Sequence, residues 1–231
     1  MFTGTAVPAS ASLRAPNWPL VGLGFVLSVL AAVAIAELTQ TSGDWNTGLG
    51  WERAFMLSIS TDLPASLDSL FLLLPWLSSN TTVMPLVMIG CLWLWVVRKR
   101  ADLALHLFVV DLGTFILTPM LKMMYERPRP DLWEHRGQYA WSSYPSGHAL
   151  IGVAVFATIA VIAYRERGIR WPAVVLAVLL AISLYSRVYL GVHWPIDVIG
   201  GVAVGAVWLA FTLRAFPAAP RRTIDEAGTT S

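Results

Sequence analysis

Six apolar runs govern what this chain can become, each close to the length of a bilayer crossing: Leu20 to Ala36, Val83 to Val97, Leu103 to Met120, Ala149 to Tyr164, Trp171 to Tyr185 and Ile196 to Leu213. No water satisfies the backbone in hydrocarbon, so a crossing segment must be a helix of roughly 20 residues. The runs are on the short side, which places their polar ends in the interface. Composition closes off the soluble alternatives. Of 231 residues, 56% are hydrophobic and 13% charged, with a mean hydropathy of +0.64. That charged share is about half of what a globular protein uses, which excludes a cytosolic enzyme, a disordered chain and a nucleic-acid binder. The net charge of +2 is too small to call for a polyanionic partner. Cys91 is the lone cysteine, so no disulfide framework or cysteine metal site exists. The reading is an all-α, polytopic membrane bundle of six transmembrane helices, with the lipid bilayer as its partner. Nothing in the runs specifies an oligomeric state.

The expected organisation is a single membrane-embedded domain over residues 18–216, between mobile tails at 1–17 and 217–231 rich in Ala, Pro, Ser and Thr. Ala34-Ile35-Ala36 resembles a signal-cleavage site, but the 17-residue run exceeds a usual signal core, so a retained first span is expected. Leu63, Leu67, Leu70, Leu74 and Leu77 form a helical stripe, yet the unbroken run Leu70 to Leu77 is eight residues and contains Pro75. Trp51 to Leu77 is therefore read as one or two amphipathic helices on the membrane surface, in the first outer loop. Trp18, Trp76, Trp141, Trp171 and Trp194 fall near predicted interfaces, as an aromatic belt requires.

Basic residues set the sidedness. With both termini cytoplasmic, the inner segments hold ten: Arg14, Arg98, Lys99, Arg100, Arg165, Arg167, Arg170, Arg214, Arg221 and Arg222. The outer segments hold six: Arg53, Lys122, Arg127, Arg129, Arg136 and Arg187. Arg127 and Arg136 read as anchors that snorkel to the interface.

Three polar clusters close or open spans on that same outer face. Lys122 to Pro130 ends the third span, Pro145-Ser146-Gly147-His148 opens the fourth, and Ser186-Arg187, His193 and Asp197 lie between the fifth and sixth. Lys122, Arg129 and Arg187 carry donors suited to phosphate oxygens, and an arginine can grip two oxygens at once. Ser146 is a candidate N-cap, leaving the N–H groups of Gly147 and His148 at a helix start that favours an anion. Gly147 lets a ligand approach the backbone. Pro195 suits a first helical position, which puts His193 just before the last span and Asp197 in its first turn. A carboxylate there can accept from one imidazole nitrogen and leave the other as a free lone pair, the orientation a nucleophilic histidine requires. His148 has no carboxylate beside it in sequence, and among cations a bound phosphate is what would keep it protonated.

With these residues in place, the chain resembles the type-2 phosphatidic acid phosphatase superfamily. That family's signature is Lys-x6-Arg-Pro, Pro-Ser-Gly-His and Ser-Arg-x5-His-x3-Asp, matched here by Lys122, Arg129-Pro130, Pro145 to His148, Ser186-Arg187, His193 and Asp197. The resemblance covers roughly Leu103 to Gly205. It implies a membrane phosphatase of lipid phosphates or pyrophosphates, of the lipid-phosphatase and undecaprenyl-pyrophosphatase type. Candidate substrates are phosphatidate, phosphatidylglycerol phosphate and a polyprenyl pyrophosphate. By similarity His193 is the nucleophile that becomes phosphohistidine, Asp197 orients it, and His148 is the general acid and base. Lys122, Arg129, Arg187, Ser146 and Gly147 hold the phosphate. The family uses no metal and no cofactor, and three cations in one pocket would repel a divalent ion. The implied location is the plasma (inner) membrane with the site on the extracytoplasmic side. Two alternatives stay open: a phosphotransferase that passes the phosphoryl group to another lipid or sugar, and a non-catalytic lipid or anion transporter.

Other polar residues read as structural. His106 and His135 are expected to be so. Asp111 sits mid-span, where an ionisable group suggests function by default, but it lies eleven residues and about 16 Å along the helix from Lys122. A buried structural hydrogen bond is the preferred reading for it. Gly201 and Gly205 form a small-xxx-small pair expected to pack helices.

Overall fold

The computed structural model describes residues 15–41, 43–62, 68–133 and 142–217. Within them the chain is helical throughout: α1 (Trp18–Gln40), α2 (Gly50–Asp62), α3 (Asp68–Leu73) with a 3₁₀ turn (Leu74–Ser78), α4 (Asn80–Val96), α5 (Ala101–Tyr125), α6 (Gly147–Arg167), α7 (Trp171–Tyr189) and α8 (Pro195–Ala215). Five of these, α1 and α5 to α8, are long and apolar enough to cross a membrane on their own. Residues Ser69–Ser78 and Asn80–Val96 pass the same criterion together, bent by 44° at the break between them. The chain is a multi-pass membrane protein, with six crossings when the bent pair counts as one.

Lipid-facing surfaces explain the composition. Leu86, Ile89, Leu92 and Trp95 on α4 and Trp171, Val174 and Val178 on α7 are exposed, as apolar as anything inside. A helix that is apolar all round belongs in hydrocarbon. The most enclosed span is α5, which lies centrally and packs against α1, α4, α6 and α8.

Small residues let the helices meet. A Cβ on Gly201 would sit 2.3 Å from the Ser146 carbonyl oxygen, and one on Gly205 2.7 Å from that of Leu150. The expected small-residue pair thus seats α8 on α6. Gly113 of α5 accommodates the Trp208 indole, whose Nε1 donates to the Val110 carbonyl at 3.0 Å. Along α8 runs α1, with Gly24 against Phe211 and the Phe25 and Trp208 rings edge to face. A first helix packed this way is part of the bundle.

Several expectations change. Asn17, placed by sequence in a mobile tail, caps α1: its side chain accepts from Leu20 N–H and its own N–H donates to the Ala215 carbonyl at 2.9 Å. The remaining tail residues 1–14 and 218–231 lie outside the described residues, as do Leu63, Leu67, His135, Arg136 and Trp141. The expected surface segment divides in two. Glu52, Met56 and Ile59 form the buried stripe of α2, with Met56 and Ile59 packed on the protein's own Val188, Tyr189 and Trp194. The second half, through Pro75, leads by the 44° bend into α4. Trp18, Trp76 and Trp171 are exposed as a belt requires, but Trp194 is only 1% exposed and belongs to the core.

Candidate active site

One end of the bundle gathers the termini of α5, α6, α7 and α8, and with them the polar clusters. Main-chain bonds lace the segments together. Ser143 N–H donates to the Arg127 carbonyl at 2.8 Å, folding the α5–α6 connection back on itself. Ser146 N–H donates to the Asp197 carbonyl at 2.9 Å, joining the start of α6 to that of α8. Val192 and His193 N–H groups donate to the Arg187 carbonyl at 3.2 and 3.3 Å, closing the turn after α7.

The cations follow from this lacing. Lys122, in the last turn of α5, donates from Nζ to the Ser142 carbonyl at 2.6 Å. Arg129 shares that acceptor through one terminal nitrogen at 3.2 Å and with the other reaches the carbonyl of Val192, next to His193. Arg187 is buried at the end of α7. All three act electrostatically on both His148 and His193.

His193 is 2% exposed. Burial above all, then Arg129, Lys122 and Arg187, hold its pKa well below the ordinary imidazole value, while a hydrogen bond to the Ser143 backbone acts the other way. Its Nδ1 faces Asp197 Oδ2 at 3.4 Å, and Oδ2 also accepts from Trp194 N–H at 2.8 Å as part of the capping of α8. His148 keeps some exposure at the start of α6. Ser146 Oγ is buried with no partner among the described residues, and it makes no side-chain cap bond to the helix. A buried hydroxyl without a partner is an unmet demand at the place where an anion is expected. Gly147 serves packing as well as access, because a Cβ there would lie 2.8 Å from Thr118 Cγ2 of α5.

Residues expected at one site are therefore assembled there: Lys122, Arg129, Ser146, Gly147, His148, Arg187, His193 and Asp197. Arg127, read as an interface anchor, is corrected: it is fully buried and ion-paired to Asp197 Oδ1 at 2.7 Å and to Glu52 Oε2 at 2.9 Å. Neither Arg127 nor Glu52 stood out as functional. The available signal was an arginine beside a signature arginine and an acid in an otherwise amphipathic loop. His106 is buried and stacked on Phe216 at 4.8 Å, away from the site. Asp111 is buried, but among the described residues its carboxylate accepts no hydrogen bond, contrary to expectation; its backbone carbonyl accepts from Thr114 Oγ1.

A multi-pass helical membrane protein with a cationic, imidazole-bearing cup at one end is the class that fold and site define. The family model described as the PAP2 superfamily matches residues 102–221, and the chain belongs to that superfamily. It is 33% identical over 150 residues to phosphatidylglycerophosphatase B of Bacillus subtilis (strain 168), covering 61% of this chain and 70% of that one. It is 45% identical over 69 residues to an undecaprenyl-diphosphatase of Sulfolobus acidocaldarius, covering 30% of this chain and 31% of that one. The chain spans less than two thirds of the length of most curated relatives it matches. The crystal structure of a transmembrane PAP2-type phosphatidylglycerolphosphate phosphatase from Bacillus subtilis superposes with a TM-score of 0.67, over 83% of this chain and 93% of that one. At 23% identity that likeness is one of fold.

Proposed function

We propose that the protein is a metal-independent phosphatase of a lipid phosphate or pyrophosphate, working through a phosphohistidine at His193 on the extracytoplasmic side of the plasma membrane. The observation that carries this reading is the convergence of Lys122, Arg129, Arg187 and the unpartnered Ser146 hydroxyl around a buried His193 backed by Asp197. Relatives named as a phosphatidylglycerophosphatase and an undecaprenyl-diphosphatase favour the same substrate class.

In the first step Nε2 of neutral His193 attacks phosphorus as the P–O bond to the lipid breaks. The proton on His148 goes to the leaving oxygen. Asp197 holds the Nδ1 proton and stabilises the charge that develops on the ring. Water then attacks the phosphohistidine, gives its proton to His148, and the P–N bond breaks to release phosphate. The three cations carry the negative charge of the phosphoryl oxygens through both steps. The carboxylates nearest the nucleophile, Asp197 and Glu52, are engaged by Arg127, which favours a reaction without a divalent ion.

The test is phosphate release from phosphatidate, phosphatidylglycerol phosphate and a polyprenyl pyrophosphate by purified protein in detergent with EDTA. Turnover of at least one is expected, with acid-labile phosphate trapped on the wild type and absent from His193→Ala. Complete inhibition by the chelator, or wild-type rates in His193→Ala, would overturn the scheme.

A further inference from the structure

Behind the imidazole lies an ion cluster of which only Asp197 belongs to the signature. The guanidinium of Arg127 is used on every edge: Nε donates to the Trp45 carbonyl at 2.9 Å, one terminal nitrogen to Asp197 Oδ1 at 2.7 Å, and the other to Glu52 Oε2 at 2.9 Å. Its faces lie against the Trp45 ring at 4.4 Å and the Trp194 ring at 5.5 Å. Glu52 is as fully enclosed and spends its remaining capacity on the main chain. Its Oε2 accepts from Leu49 N–H at 2.9 Å, and its Oε1 from Ile196 N–H at 3.0 Å, one residue before Asp197.

Enclosing three ions is expensive, and such a cluster gains little over a well-packed apolar one. Its effect on Asp197 is the better account of it. One carboxylate oxygen is held by Arg127, and the other is shared between Trp194 N–H and His193 Nδ1, so the carboxylate plane cannot turn. The charge of Arg127 favours the carboxylate form of Asp197 against the effect of burial, which favours the Nδ1 proton on the ring and the lone pair on Nε2.

We propose that Arg127 and Glu52 are positioning residues for the imidazole: Glu52 orients Arg127 and pins the start of α8, and Arg127 fixes Asp197 against His193. The inference rests on the reading of His193 as the nucleophile. It also gives the first outer loop a part in positioning the imidazole, since Glu52 lies outside the residues that match the family model. Around Asp197 and His193 the charged and titratable groups are Glu52 on α2, Lys122 on α5, Arg127, Arg129 and Tyr144 in the α5–α6 connection, His148 on α6 and Arg187 on α7.

The test uses the full chain in detergent with the panel lipid that the wild type hydrolyses fastest, comparing Arg127→Gln, Arg127→Lys and Glu52→Gln. Each variant is expected to lose kcat by about 10–100-fold, as for other groups that orient a reacting ligand, with KM little changed. Removing a cation favours the protonated forms of its neighbours, so the acid limb of kcat/KM moves to higher pH in Arg127→Gln. Removing an anion does the reverse, so the limb moves to lower pH in Glu52→Gln. It stays in place in Arg127→Lys, which keeps the charge and loses the fork. A purely structural role predicts lower amplitude without opposed shifts. Should Arg127→Gln fail to fold, the other two variants decide. Wild-type kcat in the folded variants, or limbs that move together, overturns the inference. Inactive wild type or active His193→Ala instead overturns the phosphohistidine reading on which it rests.

Discussion

In the proposed mechanism His193 attacks as the neutral imidazole, and its surroundings favour that state. Burial and the neighbouring Arg129, Lys122 and Arg187 hold its pKa down in the folded protein, whereas in the unfolded chain it titrates near 6.5. Below that value the unfolded chain takes up a proton that the folded one refuses, so this residue's contribution to stability is lost as pH falls. The thermal midpoint of His193→Gln in detergent is expected to fall less than that of the wild type between about pH 7.5 and about pH 5.5. Equal slopes would show that the site leaves the imidazole unperturbed. Arg129 holds the carbonyls of Ser142 and Val192 and is proposed to bind the phosphate, so Arg129→Ala is expected to lower kcat by about 10²–10³-fold, measured by phosphate release. The charged and imidazole residues of the signature were legible because each carries its chemistry in its own side chain. Arg127 was not, because its meaning comes from Glu52, 75 residues away, and from enclosure between two tryptophans. An isolated arginine near a span end looks like an anchor until its partners are known.

At the scale of helices, the site depends on how closely α8 lies on α6. Gly201 touches the Ser146 carbonyl, and the same short stretch of chain joins Ser146 N–H to the Asp197 carbonyl. A methyl at Gly201 would press on backbone, which cannot swing aside as a flexible side chain can. Gly201→Ala is therefore expected to lower stability by about 1–3 kcal/mol and to reduce kcat by displacing Asp197. Gly22→Ala is the control, since a Cβ there meets nothing within 4 Å. Thermal unfolding in detergent and phosphate release read both effects, and a Gly201→Ala protein indistinguishable from Gly22→Ala would show that the contact has slack. All six runs were read from the sequence as spans, and five of them lie in helices long enough to cross alone, because an unbroken apolar run of that length has no other solution in hydrocarbon. The α4 span was harder. Its helix is 17 residues long, and the apolar stretch before it, Ser69–Ser78, is interrupted at Pro75 and enters at a 44° bend, which resembles a surface helix in one dimension.

Taken whole, the molecule has two unlike ends. At the end opposite the site, Arg98 and Arg100 pair with Glu166, and Arg100 also pairs with Asp102 at 2.8 Å, tying the α4–α5 turn to the end of α6. At the site end, Lys122, Arg127, Arg129 and Arg187 are all bonded or buried within the candidate site. Among the described residues expected on the outer side that leaves Arg53, bonded to the Thr47 carbonyl at 3.3 Å, as the cation standing away from the site. The excess of basic residues on the other end, the signal that governs insertion, is thus stronger than a bare count makes it. This supports the proposed outward orientation of the site, and Cys91, as the sole cysteine, makes that orientation easy to measure. On a Cys91→Ala background, Asp131→Cys at the exposed site end is expected to react with a membrane-impermeant maleimide in intact spheroplasts. Arg167→Cys, exposed at the other end, is expected to react only after permeabilisation. The reverse pattern would put the cationic cup on the cytoplasmic face, where it would meet inner-leaflet phosphates and the proposed extracytoplasmic substrate pool would be out of its reach.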